Sequence, residues 1–218
     1  MSHPYSVIAI DGPAASGKSS VAQNLARRLG YAYVNSGAMY RAITWHVVST
    51  RIAVDDVSAV LDLLGRASIQ ITLENGASVI RIDGVDPEPF LRDPSINQNV
   101  SPVSSIPGVR DFLLVSLRSF AEETDLVMEG RDIGSTVFPD TPYKFYIDAS
   151  PEVRRLRRQG QGQIDDPTAR DKVDSTRRAS PLVIADDAQV IDSSHLTIDG
   201  VVGEIIGRLK LKGLGVKG

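Results

Sequence analysis

Gly12, Gly17, Lys18 and Ser19 satisfy the spacing G-x-x-x-x-G-K-S, which is the spacing of a loop that grips nucleotide phosphates. Glycines let the chain curl with no side chain in the way. Backbone N–H groups then point inward, and the helix that follows adds its positive end. Residues Gly12, Pro13, Ala14, Ala15, Ser16, Gly17, Lys18, Ser19 and Ser20 are therefore the expected ATP-binding segment. Lys18 should reach the β and γ phosphates, and the Ser19 hydroxyl should ligate Mg²⁺ carried with ATP. Asp11 stands beside the loop, where a metal-bound water could reach it.

Transfer of a phosphoryl group brings two anions head to head, so fixed cations must cancel their repulsion. Arginine suits that task because it stays charged and binds two oxygens at once. The chain places arginines at 41, 110 and 131, then at 154, 157 and 158, then at 170, 177 and 178. Arg154, Arg157 and Arg158 are spaced i, i+3, i+4 and share one helix face, read either as a solvated basic face or as part of a lid over ATP. Gly160 and Gly162 behind them read as a loop that lets such a lid close. Gly130-Arg131-Asp132 follows a predicted strand, at the end of the sheet where ligands bind in such folds. Asp132 could also be a simple helix cap. The histidines show no metal-binding spacing, and Trp45 reads as core.

The elements that must position these residues follow an α/β grammar. Residues 7–10 form a short apolar strand, and Val21, Leu25 and Leu29 line one helix face that stops at Gly30. A second strand at 31–34 leads through Asn35-Ser36-Gly37 into the next helix. Alternating residues around Asn75-Gly76 and Asp83-Gly84 predict a small antiparallel insert at 66–100, ending in a proline-rich stretch. The α/β pattern resumes with a helix at 109–123 and strands at 126–128, 143–147 and 189–191. A last helix carries Val201, Val202, Ile205, Ile206 and Leu209 on one face.

Composition narrows the classes further. The 218 residues suit one domain with an insert, and a hydrophobic share of 42% supports a normal core. Net charge of −3 argues against coating nucleic acid. Without cysteine there is no disulfide, thiolate metal site or cysteine nucleophile. Neither a signal peptide nor a membrane span is expected, so a cytoplasmic monomer is the expected form. No N-K-x-D guanine reader is present, and no apolar run ending in Asp-Glu, which disfavours a GTPase switch and a motor ATPase. An ATPase without an acceptor would leave the many arginines without a second anion. A kinase of a smaller acceptor would not need the insert as an added wall.

The stretches GPAASGKSS, NSGAMYR, EGRDIGSTVFPD and RDKVDSTRRASPL together resemble the bacterial cytidylate kinases, which are nucleoside monophosphate kinases of the P-loop class. The resemblance runs from Ile8 to about Leu196. It implies a three-layer α/β/α fold with a five-stranded parallel sheet, plus the hairpin insert and a lid. The core would span 1–65 and 101–218, the lid about 154–170, and the monophosphate-binding insert 66–100. It also implies transfer from ATP to CMP or dCMP. Ser36, Arg41, Arg131 and Arg177 would lie near the acceptor phosphate. Ser101, Arg110 and Asp132 would face cytosine, and Arg170 and Asp174 the sugar. Lys18, Arg131, Arg158 and Asp132 form the expected catalytic set. Asn35 stands where the family is associated with aspartate, and the stretch between Arg158 and Arg170 is short for the family.

Overall fold

The computed structural model describes residues 4–163, 167–177 and 180–215, apart from the side chains of Pro167 and Arg170. Strand β1 (Val7–Asp11) is buried along its whole length, which is why it is apolar until its last residue. It lies between β5 (Leu126–Gly130) and β6 (Tyr143–Asp148), parallel to both. Strand β2 (Ala32–Asn35) pairs with β5, and β7 (Gln189–Asp192) with β6, again parallel. These five strands are the parallel sheet expected from the sequence.

The hairpin extends that sheet. Strands β3 (Ile69–Glu74) and β4 (Ala77–Ile82) pair antiparallel, turning through Asn75-Gly76 with both residues at positive φ. At the open edge of β2, Tyr33 N–H donates to Gly76 O at 2.8 Å, and Asn35 N–H to Ser78 Oγ at 3.1 Å. Exposed strand edges offer unpaired backbone groups, so the hairpin docks there. Among the described residues the sheet thus has seven strands, in the order β3-β4-β2-β5-β1-β6-β7.

Helices cover both faces. Helix α1 (Lys18–Leu29) and helix α8 (Ile198–Leu211) pack on one side, where Val21, Leu25, Val202 and Ile205 meet Ile8, Ile10 and Phe145. On the other side lie α2 (Ser36–Ser49), α3 (Val57–Arg66), α4 (Pro94–Ser104) and α5 (Pro107–Ser119), around Ile43, Val60, Val103, Leu113 and Met128. Helix α4 starts inside the stretch that reads as a proline-rich tail. Pro94 fits its first turn because the N–H it lacks would have no partner there. Helices α6 (Pro151–Gly160) and α7 (Pro167–Thr176) stand at the carboxyl ends of the strands. No described helix is long and apolar enough to cross a membrane.

Two joints place the site. Gly12 has φ +152°, and a Cβ there would lie 2.1 Å from the Ile147 carbonyl oxygen, so no side chain fits. Asp11 is 6% exposed and accepts from Ile133 N–H at 2.8 Å and Gly134 N–H at 2.7 Å. It pins the single π-helical turn Ile133–Val137 that follows Gly130-Arg131-Asp132. Each of its carboxylate oxygens accepts one of these N–H groups, so Asp11 ties the glycine loop to this turn. Burial outweighs these two bonds and raises its pKa from 3.8 to about 7.

Because folded Asp11 holds its proton more tightly than the open chain does, it costs stability as pH rises from about 4 to about 7, by at most ~1.4 kcal/mol per pH unit. Asp11→Asn removes that titration. Denaturant unfolding should show the variant gaining on the parent by about 2–3 kcal/mol between pH 5 and pH 8. A difference that does not change with pH would show that Asp11 does not titrate in this window.

Candidate active site

The glycine loop is held by its carbonyl oxygens. Arg131 Nη1 donates to Gly12 O at 3.0 Å and Lys18 Nζ to Pro13 O at 2.9 Å. Arg154 Nη1 donates to Ala14 O at 3.1 Å and Arg157 Nη1 to Ser16 O at 3.0 Å. The Ser193 hydroxyl also donates to Ser16 O, at 2.7 Å. Carbonyls drawn outward by cations turn N–H groups of the loop toward an anion, apart from Ser16 N–H, which donates to Pro13 O at 3.4 Å. Ser19 and Ser20 are exposed in the first turn of α1.

The basic helix α6 supplies two of these contacts. Arg154 is buried and also bonds Ala149 O and Asp171. Arg157 also holds Ser193 through its hydroxyl and its carbonyl. Both arginines hold carbonyl oxygens of the loop, and Arg157 also lines the cleft. Arg158 turns the other way and approaches Asn97 on α4 at 3.4 Å. The i, i+4 spacing set Arg154 and Arg158 on one face, but the cleft wall divides their partners.

Across the cleft from the glycine loop, Arg110 bonds Asp132 through Nη2 and Ser104 O through Nη1 at 3.1 Å, and its guanidinium lies over the Tyr40 ring at 5.2 Å. Burial pushes the Asp132 carboxyl up, opposed by Arg110 and Arg177. Asp174 accepts from the Ser101 hydroxyl at 3.0 Å and from Arg131 Nε at 3.1 Å. Arg177 Nη1 donates to Ser104 Oγ at 3.2 Å, while its buried Nη2 has no hydrogen-bond partner among the described residues. Burial pushes the Arg177 pKa down. Arg41 Nη1 donates to Leu91 O and to Asn97. Ser36 donates to Glu129 O at 2.9 Å. The expected contact of Arg170 lies outside the described side chains.

These residues line one cleft of about 920 Å³ between the glycine loop, the hairpin, α4 and α6. The described residues hold no cluster of three or more His, Asp or Glu able to cage a metal. An exposed serine hydroxyl beside a phosphate site still suits Mg²⁺, which keeps its waters and leans on phosphate oxygens.

Several site residues carry no signal in a single sequence. Asp171 accepts from the Ala14 N–H at 2.8 Å and from Arg154, which ties α7 to the glycine loop. Glu129 is buried in the cleft wall and accepts from the Tyr33 hydroxyl at 3.3 Å. Asn35 accepts from Ala38 N–H at 2.9 Å, so it caps α2 as an aspartate would. The Arg-Asp-x-x-Asp-x-x-Arg run is the one available clue to Asp171.

Comparison with known proteins agrees with this geometry. The sequence model of the cytidylate kinase family matches residues 8–211. A cytidylate kinase of Streptomyces avermitilis is 40% identical over 91% of this chain and 90% of its own length. One from Desulforamulus reducens is 42% identical over 93% of this chain and 96% of its own. In fold, a gluconokinase from Sinorhizobium meliloti superposes with TM-score 0.51 at 12% identity, covering 97% of this chain and 95% of its own. With a glycine loop on one side of the cleft and a buried Arg–Asp pair on the other, the chain belongs to the cytidylate kinase family.

Proposed function

We propose that this protein transfers the γ-phosphoryl group of ATP to CMP or dCMP, giving ADP and the diphosphate. The observation that carries this reading is the Arg110–Asp132 pair in the wall of the cleft. Cytosine presents an N4 amine donor beside the N3 acceptor. Asp132 can accept from the first while Arg110 donates to the second. Uracil places an oxygen where the amine was, and that oxygen would face a carboxylate.

The roles then follow from position. Residues 15–20 supply backbone donors to the triphosphate, and Lys18 cancels charge as it moves toward the leaving group. Magnesium, held at the Ser19 hydroxyl and the ATP phosphates, would neutralise negative charge on the β and γ groups. Arg131, Arg41 and Arg177 flank the acceptor phosphate. Arg177 Nη2 supports this: it stands 3.9 Å from Asp174 Oδ1 but makes no hydrogen bond there, so a buried donor direction is left for a phosphate oxygen. Ser36 and Ser101 sit in the same wall, and Asp174 between Arg131 and Ser101 is placed for the sugar. The acceptor phosphate is already an oxyanion at neutral pH, so positioning and charge can replace a general base. The segment 66–100 walls the acceptor side, and the lid reading rests on Arg157 and Arg158 of α6, which line the cleft.

An ADP-release assay across nucleoside monophosphates should show turnover with CMP and dCMP well above UMP or AMP. ADP formation that ignores CMP would overturn the assignment. Lys18→Ala should lower kcat by about 10²–10³-fold while the CMP KM stays nearly constant. Asp132→Asn should lower kcat/KM for CMP by about 5–150-fold while UMP changes little. Equal losses for the two acceptors would remove Asp132 from base reading.

A further inference from the structure

No motif points to Asn97. It lies on α4 in the cleft wall, 9% exposed. Its Oδ1 accepts from Arg41 Nη1 at 2.6 Å and from Arg158 Nη2 at 3.4 Å. Its Nδ2 donates to Arg92 O at 3.1 Å and to Gln163 Oε1 at 2.6 Å. One carboxamide therefore meets an arginine of α2, an arginine of α6 and the segment just beyond α6. Two guanidiniums that share one oxygen repel each other, and they stay converged only while an acceptor sits between them. A carboxylate would do this more strongly, but it would add negative charge to a cleft that must accept phosphates. A carboxamide accepts from both and adds no charge.

We infer that Asn97 is a positioning residue for phosphoryl transfer: its carboxamide joins Arg158 to Arg41, so that both guanidiniums converge where donor and acceptor phosphates meet. This rests on the assignment of Arg41 to the acceptor phosphate and on Arg158 belonging to the catalytic set expected from the sequence. Asn97 touches no reacting atom and acts through the two arginines. The bond to Gln163 fixes the end of α6 against α4, so the same side chain also sets the distance between the two walls. The packing of α4 does not depend on it, because Ile96, Val100 and Val103 carry that burial.

The test is steady-state kinetics with ATP and CMP on Asn97→Ala, Arg158→Ala and the double variant, with Arg41→Ala alongside. Asn97→Ala should lower kcat by about tenfold at unchanged melting temperature. In the Arg158→Ala background the same substitution should change kcat by less than about threefold, because only Arg41 is then left for Asn97 to position. A full tenfold loss in both backgrounds, or none in either, overturns the proposal. Should Asn97→Ala not fold, Asn97→Asp decides: the carboxylate still holds both arginines and competes with the acceptor phosphate. Its kcat should then stay within about threefold of the parent while the CMP KM rises at least about fivefold and falls back with added salt. An unchanged KM in that variant overturns the proposal. An unchanged CMP KM in Arg41→Ala removes the acceptor assignment itself, whereas additivity with Arg41→Ala still raising that KM removes only the role of Asn97.

Discussion

The loop that must receive a triphosphate is shaped by what grips its back. A chain of alternating N–H and C=O groups cannot point every N–H inward unless its carbonyl oxygens are satisfied elsewhere. Here Arg131, Lys18, Arg154 and Arg157 take the oxygens of Gly12, Pro13, Ala14 and Ser16. Water could satisfy the same oxygens, but it would leave the loop free to rearrange. Cationic side chains anchored on α6, on α1 and at the end of β5 fix it before a nucleotide arrives, so binding spends less on ordering.

That arrangement concentrates positive charge, and a second layer of carboxylates keeps it in place. Asp171 meets Arg154, Asp174 meets Arg131, and Asp132 meets Arg110. Each pair is largely buried, so breaking one leaves an uncompensated charge and costs about 3–5 kcal/mol. Such pairs are weak sources of net stability, yet they hold guanidinium planes in fixed directions. Two of the three carboxylates come from α7, so that helix serves the glycine loop through Asp171 and the acceptor side through Asp174. The position of α7 is thereby sensed by both halves of the cleft.

Much of the fold was legible because its signals are local. A buried strand, a glycine loop and a helix ending at Gly30 each depend on neighbouring residues, as does a hairpin at Asn75-Gly76. Helices α3 and α4 were not legible. Proline and small polar residues at 94–104 obscure the period of α4, and its apolar side shows only against α2 and α5. In the cleft, the types and positions of the arginines could be read from sequence, but their partners could not. Spacing places Arg154, Arg157 and Arg158 on one helix surface, and it does not say where the cleft wall cuts that surface. Asp171 and Asn97 matter through bonds to residues 157 positions and 56 to 66 positions away, a separation that no local pattern encodes.

The same limit explains Asp11. At the end of β1, before a glycine loop, a carboxylate reads naturally as part of the donor machinery. Strand order gives it a structural task as well. Strand β5 is hydrogen-bonded beside β1, with Asp11 in register with Gly130, so the residues just after Gly130 pass directly over the Asp11 side chain. Its two oxygens meet the N–H groups of Ile133 and Gly134, and the turn they fix carries Arg131 and Asp132 on its upstream arm. A residue at the edge of the glycine loop thus holds the turn that follows Asp132. Ionisation of Asp11 strengthens those two bonds but costs desolvation, and with burial the larger effect the balance lies near neutrality. The glycine loop and the Gly130-Arg131-Asp132 turn are two ends of one hydrogen-bonded joint, so a shift in either strand would displace both walls of the cleft at once.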